Sequence, residues 1–350
     1  MAQLFSSFTL RGMTLRNRIA MSPMCMYSAG EDGRATDWHL AHLAARAIGG
    51  VGLIITEATA VEARGRISPN DLGLCHDAQI APLARIVRLC QAQGAMMCSQ
   101  LAHAGRKAWS ATKGKGSTIP VAPSALPYDA DWVVPHALSA AEIDGIVAAF
   151  RAAAQRAVLA GFDAIEIHAA HGYLLHEFLS PLSSRRTDEY GGSLENRAWL
   201  LLRVVDTIRQ VLPEGQPLFV RLSCSDWVAR GLMIDDLIQV ARWVKSRGVD
   251  LVDCSSGGIV PVIPPAEPGY QIPFSESIRR EAGLATIAVG LITTPELAEA
   301  TVRSGRADVV ALGRELLRHP HWALDAARVL GHAFTWPKQY LRAKPAERPA

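Results

Sequence analysis

SAAEIDGIVAAFRAAAQRAVLAGFDAIEIH, residues 139–168, contains one complete structural unit. Ser139 followed three residues later by Glu142 is a capping box, the start signal of a helix. Ile143, Ile146, Val147, Phe150 and Ala154 then recur at helical spacing and form one apolar stripe. Gly161 closes the pattern where a helix needs a left-handed residue to turn the chain back. Directly after it, DAIEIH (163–168) is a short apolar run. Such runs, without strict alternation, fit parallel strands buried on both faces.

The unit repeats in both directions. Strands are predicted near 18–24 (RIAMSPM), 52–58 (GLIITEA) and 95–101 (AMMCSQL) before it. Four more follow near 218–223 (LFVRLS), 250–254 (DLVDC), 286–290 (TIAVG) and 308–312 (DVVAL). Helical patterns fill the gaps. Leu237, Val240, Ala241 and Val244 make a second stripe, and Thr294 before Pro295 is an N-cap with proline in the first turn. Gly50, Gly94, Gly248, Gly283 and Gly305 punctuate as Gly161 does. Eight strands alternating with eight helices, with no break between halves, predict one (β/α)8 barrel. An open doubly wound sheet would normally offer fewer repeats. The expected domain is a single barrel over 1–350, with an N-terminal lid segment and a tail at 335–350. Long strand-to-helix connections are predicted after the third strand (102–138), the fourth (169–194) and the sixth (255–273). All three emerge on the C-terminal face, where barrels build their active sites.

Composition narrows the partners. Hydrophobic residues make up 49% of the 350 and charged residues 20%, enough to bury a large core. A net charge of +3, with no Lys/Arg block before the tail, speaks against nucleic acid. The cysteines (Cys25, Cys75, Cys90, Cys98, Cys224, Cys254) form no C-x-x-C pair, which argues against zinc, an iron–sulfur cluster or a disulfide framework. The start MAQLFSSFTLRG lacks the pattern of a signal peptide, and no apolar run approaches the ~18 residues of a membrane span. A soluble cytoplasmic protein acting on a small molecule is expected.

The chemistry should lie at the strand ends. After the fourth strand comes His168-Ala169-Ala170-His171-Gly172-Tyr173. Two imidazoles three residues apart at a barrel mouth can converge on one ligand atom, with a phenol beside them as proton donor. A lone histidine there would more simply be a satisfied structural group. His-x-x-His can also bind zinc, but no third ligand follows at a supportive spacing, since His176-Glu177 does not complete H-E-x-x-H. The seventh and eighth strands end in Gly290 and Gly313-Arg314. Barrels commonly hold phosphate there, on glycine N–H groups with an added cation. No G-x-G-x-x-G or P-loop is present, so the phosphate belongs to something that fits a barrel mouth, and FMN is the natural choice. Ser22-Pro23-Met24-Cys25, Gln100 and Arg221 sit at other strand ends. A glutamine and an arginine facing one pocket suit the pyrimidine edge of a flavin.

NRIAMSPMCMYSA (17–29), VGLIITEATAVEARGRI (51–67), SQLAHAGRK (99–107) and IEIHAAHGYLLHEFLSPLSSRRTDEYGGSLENR (165–197) together resemble the old yellow enzyme family of FMN-dependent ene-reductases. The resemblance implies roles. Ser22 to Cys25, Ala58, Gln100 and Arg221 would hold the isoalloxazine, and Gly290, Gly313 and Arg314 the ribityl phosphate. His168 and His171 would bind the substrate oxygen, Tyr173 would protonate the α-carbon, and Tyr27 would line the pocket. Cys25 with a His–His pair is similar to the bacterial, thermophilic-like branch. In that branch a Q-Y-x-R tail reaches the neighbour's active site. Gln339-Tyr340-Leu341-Arg342 matches that form, implying a homodimer or homotetramer with Arg342 in the partner's substrate pocket. NADPH or NADH is the implied reductant, and an enone or nitro compound the acceptor. Two other classes stay open: a metal-dependent barrel hydrolase or lyase, and a flavoprotein that transfers electrons or senses without turning over an organic acceptor.

Overall fold

A computed structural model describes residues 2–108 and 120–345. The barrel strands are β1 (Ile19–Met21), β2 (Leu53–Ile55), β3 (Met96–Ala102) and β4 (Ala164–Ala169), then β5 (Leu218–Ser223), β6 (Leu251–Ser255), β7 (Ala285–Ala288) and β8 (Val309–Leu312). Each pairs in parallel with the next in chain order, and β8 returns to β1 through Val310↔Ile19, Ala311↔Ala20 and Leu312↔Met21. The sheet is therefore closed, and each of the eight predicted strands takes part. The interleaved helices are α1 (Asp37–Ile48), α2 (Ile80–Ala92), α3 (Ala140–Ala160) and α4 (Leu194–Arg209), followed by α5 (Ile234–Ser246), α6 (Ile272–Ala282), α7 (Pro295–Arg303) and α8 (Trp322–Val329).

The predicted punctuation carries these elements. The Ser139 hydroxyl accepts from Glu142 N–H while the Glu142 carboxylate accepts from Ser139 N–H, closing the capping box of α3. Gly161 ends that helix at φ +85, and Gly50, Gly94, Gly248, Gly283 and Gly305 all take positive φ as well. A Cβ there would meet the left-handed penalty that glycine avoids.

Strand alternation sorts the side chains. Ile165, Ile167, Val220, Leu222 and Val252 point outward into one cluster with the helices. Ala20, Leu53, Cys98, Ala164, Phe219, Leu251, Ile287 and Val309 point inward and fill the lower barrel. The N-terminal lid is a hairpin, Phe8–Leu10 with Met13–Leu15, and it closes the barrel from below: Met13 and Leu15 join the inner cluster. Higher in the barrel the inward positions turn polar: Gln100, Glu166, His168, Arg221, Asp253 and Ser255 are all buried. The connections after β3, β4 and β6 are long as predicted, and that after β2, residues 56–79, is long too. The predicted 102–138 connection includes residues 109–119, outside the described set, as are 346–350 of the tail. Among the described residues no helix is long and apolar enough to cross a membrane.

Candidate active site

A cavity of about 430 Å³ opens at the C-terminal mouth of the barrel. Its lining is Ser22, Pro23, Met24, Cys25, Tyr27, Ala58, Gln100, His168, His171, Tyr173, Arg221, Gly313 and Arg314. Most of the predicted site thus converges on one space, from six different strand ends. Two predicted residues stand apart. Gly290 does not line the cavity; an added Cβ there would meet Gln271 and the Tyr270 ring. Arg342 lies in an exposed 3-10 turn, Lys338–Ala343, outside this chain's own cavity.

The β4 motif is held in an unusual backbone. His171 has φ +59 and Gly172 φ +72. A Cβ on Gly172 would come 2.0 Å from the Gly258 carbonyl, so only glycine fits. Left-handed geometry at His171 costs about 1–3 kcal/mol and persists only where neighbours impose it. Here Ser223 Oγ accepts from His171 N–H at 2.9 Å, and Lys107 Nζ donates to the His171 carbonyl at 2.9 Å. Tyr27, at φ +51, is fixed in the same way: the preceding Met26 N–H donates to Glu57 Oε2 at 2.6 Å, and Glu57 in turn meets His39 Nε2 at 2.8 Å.

His168 and His171 stand edge to face, 5.2 Å between ring centroids, and Tyr173 lies 5.0 Å from His168. The His168 Nδ1 accepts from Ala170 N–H, which places the proton of a neutral ring on Nε2. The Nε2 of His171 pairs with Ser255 Oγ at 2.7 Å. Burial, reinforced by the positive charge of Arg221, holds both histidines well below their usual range. They are neutral donors at physiological pH. Burial raises Tyr173 well above the ordinary phenol range, so it keeps its proton.

Other polar groups line the same cavity. Gln100 and Arg221 form part of the floor, and Arg221 donates to Ser22 Oγ at 3.2 Å. Arg314 is exposed at the rim and makes no hydrogen bond or ion pair among the described residues. It follows Gly313, whose missing Cβ would meet only the Met24 sulfur, at 3.6 Å. An unpaired cation beside an uncrowded glycine fits a phosphate, and an amide with a guanidinium fits a polar heterocycle. The donor set therefore suits FMN.

Sequence reasoning missed several residues. Lys107 lies within the quoted SQLAHAGRK stretch, yet its contacts with His171, Gly258 and the rings of Tyr173 and Tyr128 come from three separate loops. Burial lowers its ammonium to about 8. Glu166 and Asp253 stand behind the floor, and no spacing rule links them.

Fold and site together define a barrel oxidoreductase with a mouth shaped for a phosphorylated ring cofactor. A family model for the NADH:flavin oxidoreductase / NADH oxidase family matches residues 3–331, and the chain belongs to that family. It is an enzyme that uses FMN and reduced nicotinamide. The NADPH dehydrogenase of Geobacillus thermodenitrificans is 53% identical over 343 residues, 97% of this chain and 98% of that protein. That of Listeria monocytogenes is 51% identical over 347 residues, 98% and 99% of the two chains. The solved old yellow enzyme homologue from Zymomonas mobilis superposes with a TM-score of 0.81 at 28% identity, covering 99% of this chain and 97% of that one.

Proposed function

We propose that the chain is an NAD(P)H-dependent ene-reductase in which the barrel-mouth cavity serves both half-reactions. The observation that carries the reading is the convergence of Gln100, Arg221 and the unpaired Arg314 on one cavity with His168, His171 and Tyr173. Gln100, Arg221, Ala58 and the Ser22–Cys25 backbone hold the ring system. Gly313 and Arg314 hold the phosphate, with Gly290 just past the end of the neighbouring strand β7. Held there, FMN would supply the hydride-transfer chemistry that links NAD(P)H oxidation to reduction of an α,β-unsaturated carbonyl or nitro compound at its β-carbon.

The protein's own work is electrostatic and positional. His168 and His171 donate to the substrate oxygen, where negative charge grows during hydride arrival; being neutral, they stabilise that charge without protonating it. Tyr173 donates its proton to the α-carbon. Lys107 packs against the Tyr173 ring and anchors the turn that carries it. Cys25 and Tyr27 share an apolar corner with Tyr173, which shields the reacting carbons from water.

The branch assignment extends to assembly. The exposed Tyr340 and Leu341 of the tail favour a homodimer or homotetramer in which Arg342 reaches the partner's cavity. The six cysteines, which form no C-x-x-C pair in the sequence, favour a reducing cytoplasm. Absorbance of the purified protein and anaerobic NADPH oxidation driven by cyclohexenone test the functional reading. A colourless protein, or a flavoprotein that passes no electrons to any enone, overturns it.

A further inference from the structure

Each of the two polar side chains in the cavity floor is backed by a carboxyl group. Gln100 Nε2 donates to Glu166 Oε1 at 2.8 Å, and Arg221 Nε lies 3.1 Å from Asp253 Oδ2. Both carboxyls have no solvent exposure. Two acids therefore face one guanidinium in the dry barrel interior. The groups around Glu166 are Gln100 and Cys98 on β3, Arg221 on β5 and Asp253 on β6, with His168 two residues along its own strand.

Satisfaction of the oxygens is uneven. Glu166 Oε2, both Asp253 oxygens and Arg221 Nε have no hydrogen-bond partner among the described residues. Arg221 therefore meets Asp253 as a close ion pair without a hydrogen bond, while Glu166 Oε1 accepts from Gln100. An ionised carboxylate with an orphaned buried oxygen is costly, whereas a protonated one is much less so. Asp253 has the cation, and Glu166 has only an amide. The proton thus belongs on Glu166. Burial and the neighbouring Asp253 push its carboxyl up, and burial raises Asp253 as well.

We propose that Glu166 and Asp253 form a proton-holding pair behind the cavity floor, which, in the pH range where the oxidised enzyme has lost the Glu166 proton, takes one proton from solvent when the bound flavin is reduced and returns it on reoxidation. This inference rests on the flavin reading above. Hydride arrival adds two electrons and one proton to the cofactor, hence one negative charge above Arg221. Arg221 is then shared between that charge and Asp253, so the pair's affinity for a proton rises. Within that range each electron pair is accompanied by the proton of the hydride and a second proton from water onto the Glu166 carboxylate. Hydride departure to the acceptor releases the second proton. No other bond is made or broken.

The test is the midpoint potential of the holoenzyme against pH, whose slope reads protons taken up per two electrons. The wild-type slope should rise from one proton towards two within a window around the carboxyl's titration. Glu166→Gln should show one throughout. Wild type with one proton at every pH, or a Glu166→Gln slope that keeps the steep window, overturns the proposal. Should Glu166→Gln not fold, Asp253→Asn serves: it removes the charge that holds the proton, so the window should move to lower pH, and an unmoved window overturns the proposal. An infrared difference between flavin-free wild type and Glu166→Gln gives a readout that needs no cofactor. A protonated-carboxyl band in wild type that fades as pH rises supports the pair, and its absence at pH 6 overturns it. A yellow, active enzyme with single-proton uptake sinks this inference alone. A protein that binds no flavin sinks the functional reading too.

Discussion

His176 Nε2 and Asp226 Oδ1 lie 3.0 Å apart, both side chains fully buried, directly under the turn that carries His171 and Tyr173. The other ring nitrogen of His176 accepts from Gly172 N–H at 2.9 Å, so the dyad grips the left-handed turn from behind. Asp226 also accepts from Ser180 Oγ and Leu232 N–H. Burial works to raise the Asp226 carboxyl, but His176 and these donors leave it below its usual value. Replacing His176 with alanine leaves both Gly172 N–H and Asp226 short of a partner. Breaking such a buried pair costs roughly 3–5 kcal/mol. Urea unfolding of the flavin-free variant should show that loss, and a midpoint equal to wild type would sink the account.

Tyr173→Phe separates the two half-reactions. Only the second needs a proton at carbon, and a general acid typically supplies ~10²–10⁴-fold. Stopped-flow reduction by NADPH should proceed near the wild-type rate, while reoxidation by cyclohexenone slows by about that factor. Equal damage to both would remove Tyr173 from the proton-donor role.

Arg314→Ala addresses the phosphate. Charge-assisted hydrogen bonds contribute about 1.5–3 kcal/mol, equivalent to roughly ten- to hundredfold in Kd. Because the Arg314 side chain makes no hydrogen bond or ion pair among the described residues, the fold should keep its melting temperature while FMN dissociates more readily. Unchanged FMN affinity by fluorescence titration counts against the rim as the phosphate site.

Glu177 links stability to pH. It is buried, and burial pushes its carboxyl from 4.5 up to about 8, against the pull of Arg106. Between those values the native state keeps a proton that the unfolded chain has lost, so stability falls as pH rises through the window and levels off above it. Glu177→Gln cannot ionise. Its melting temperature should therefore fall less than that of wild type between pH 5 and pH 9, and parallel curves would refute the shift.

The tail is tested by complementation. Mixing Tyr173→Phe subunits with Arg342→Ala subunits creates heterodimers in which one site has both Tyr173 and a partner's Arg342. Activity should then exceed either parent. No recovery in such mixtures excludes a shared site.

The barrel was legible because its signals are local. The Ser139–Glu142 box, the stripe after it and Gly161 each act within a few residues, and β4 then began one residue from its predicted start. The β4 motif was legible too, since His168, His171 and Tyr173 lie within one turn of chain. IEIH carries a further signal: Glu166 and His168 share the inward face between outward isoleucines, and Asp253 in LVDC is placed alike. An acid inside an apolar run marks a polar layer in the barrel.

By itself the sequence determined the order of strands and helices, the face on which the site lies, and the residue types at its mouth. Those depend on side-chain periodicity and on backbone preferences that each residue carries with it. The tertiary structure alone decided which distant groups meet: Arg221 with Asp253, His171 with Ser255, Lys107 with the His171 carbonyl. Barrel closure and strand register set these pairings, and each strand's position depends on the packing of every other strand. The charge state of the cavity floor follows from them, because burial of Glu166 and Asp253 around one guanidinium exists only once the sheet has closed.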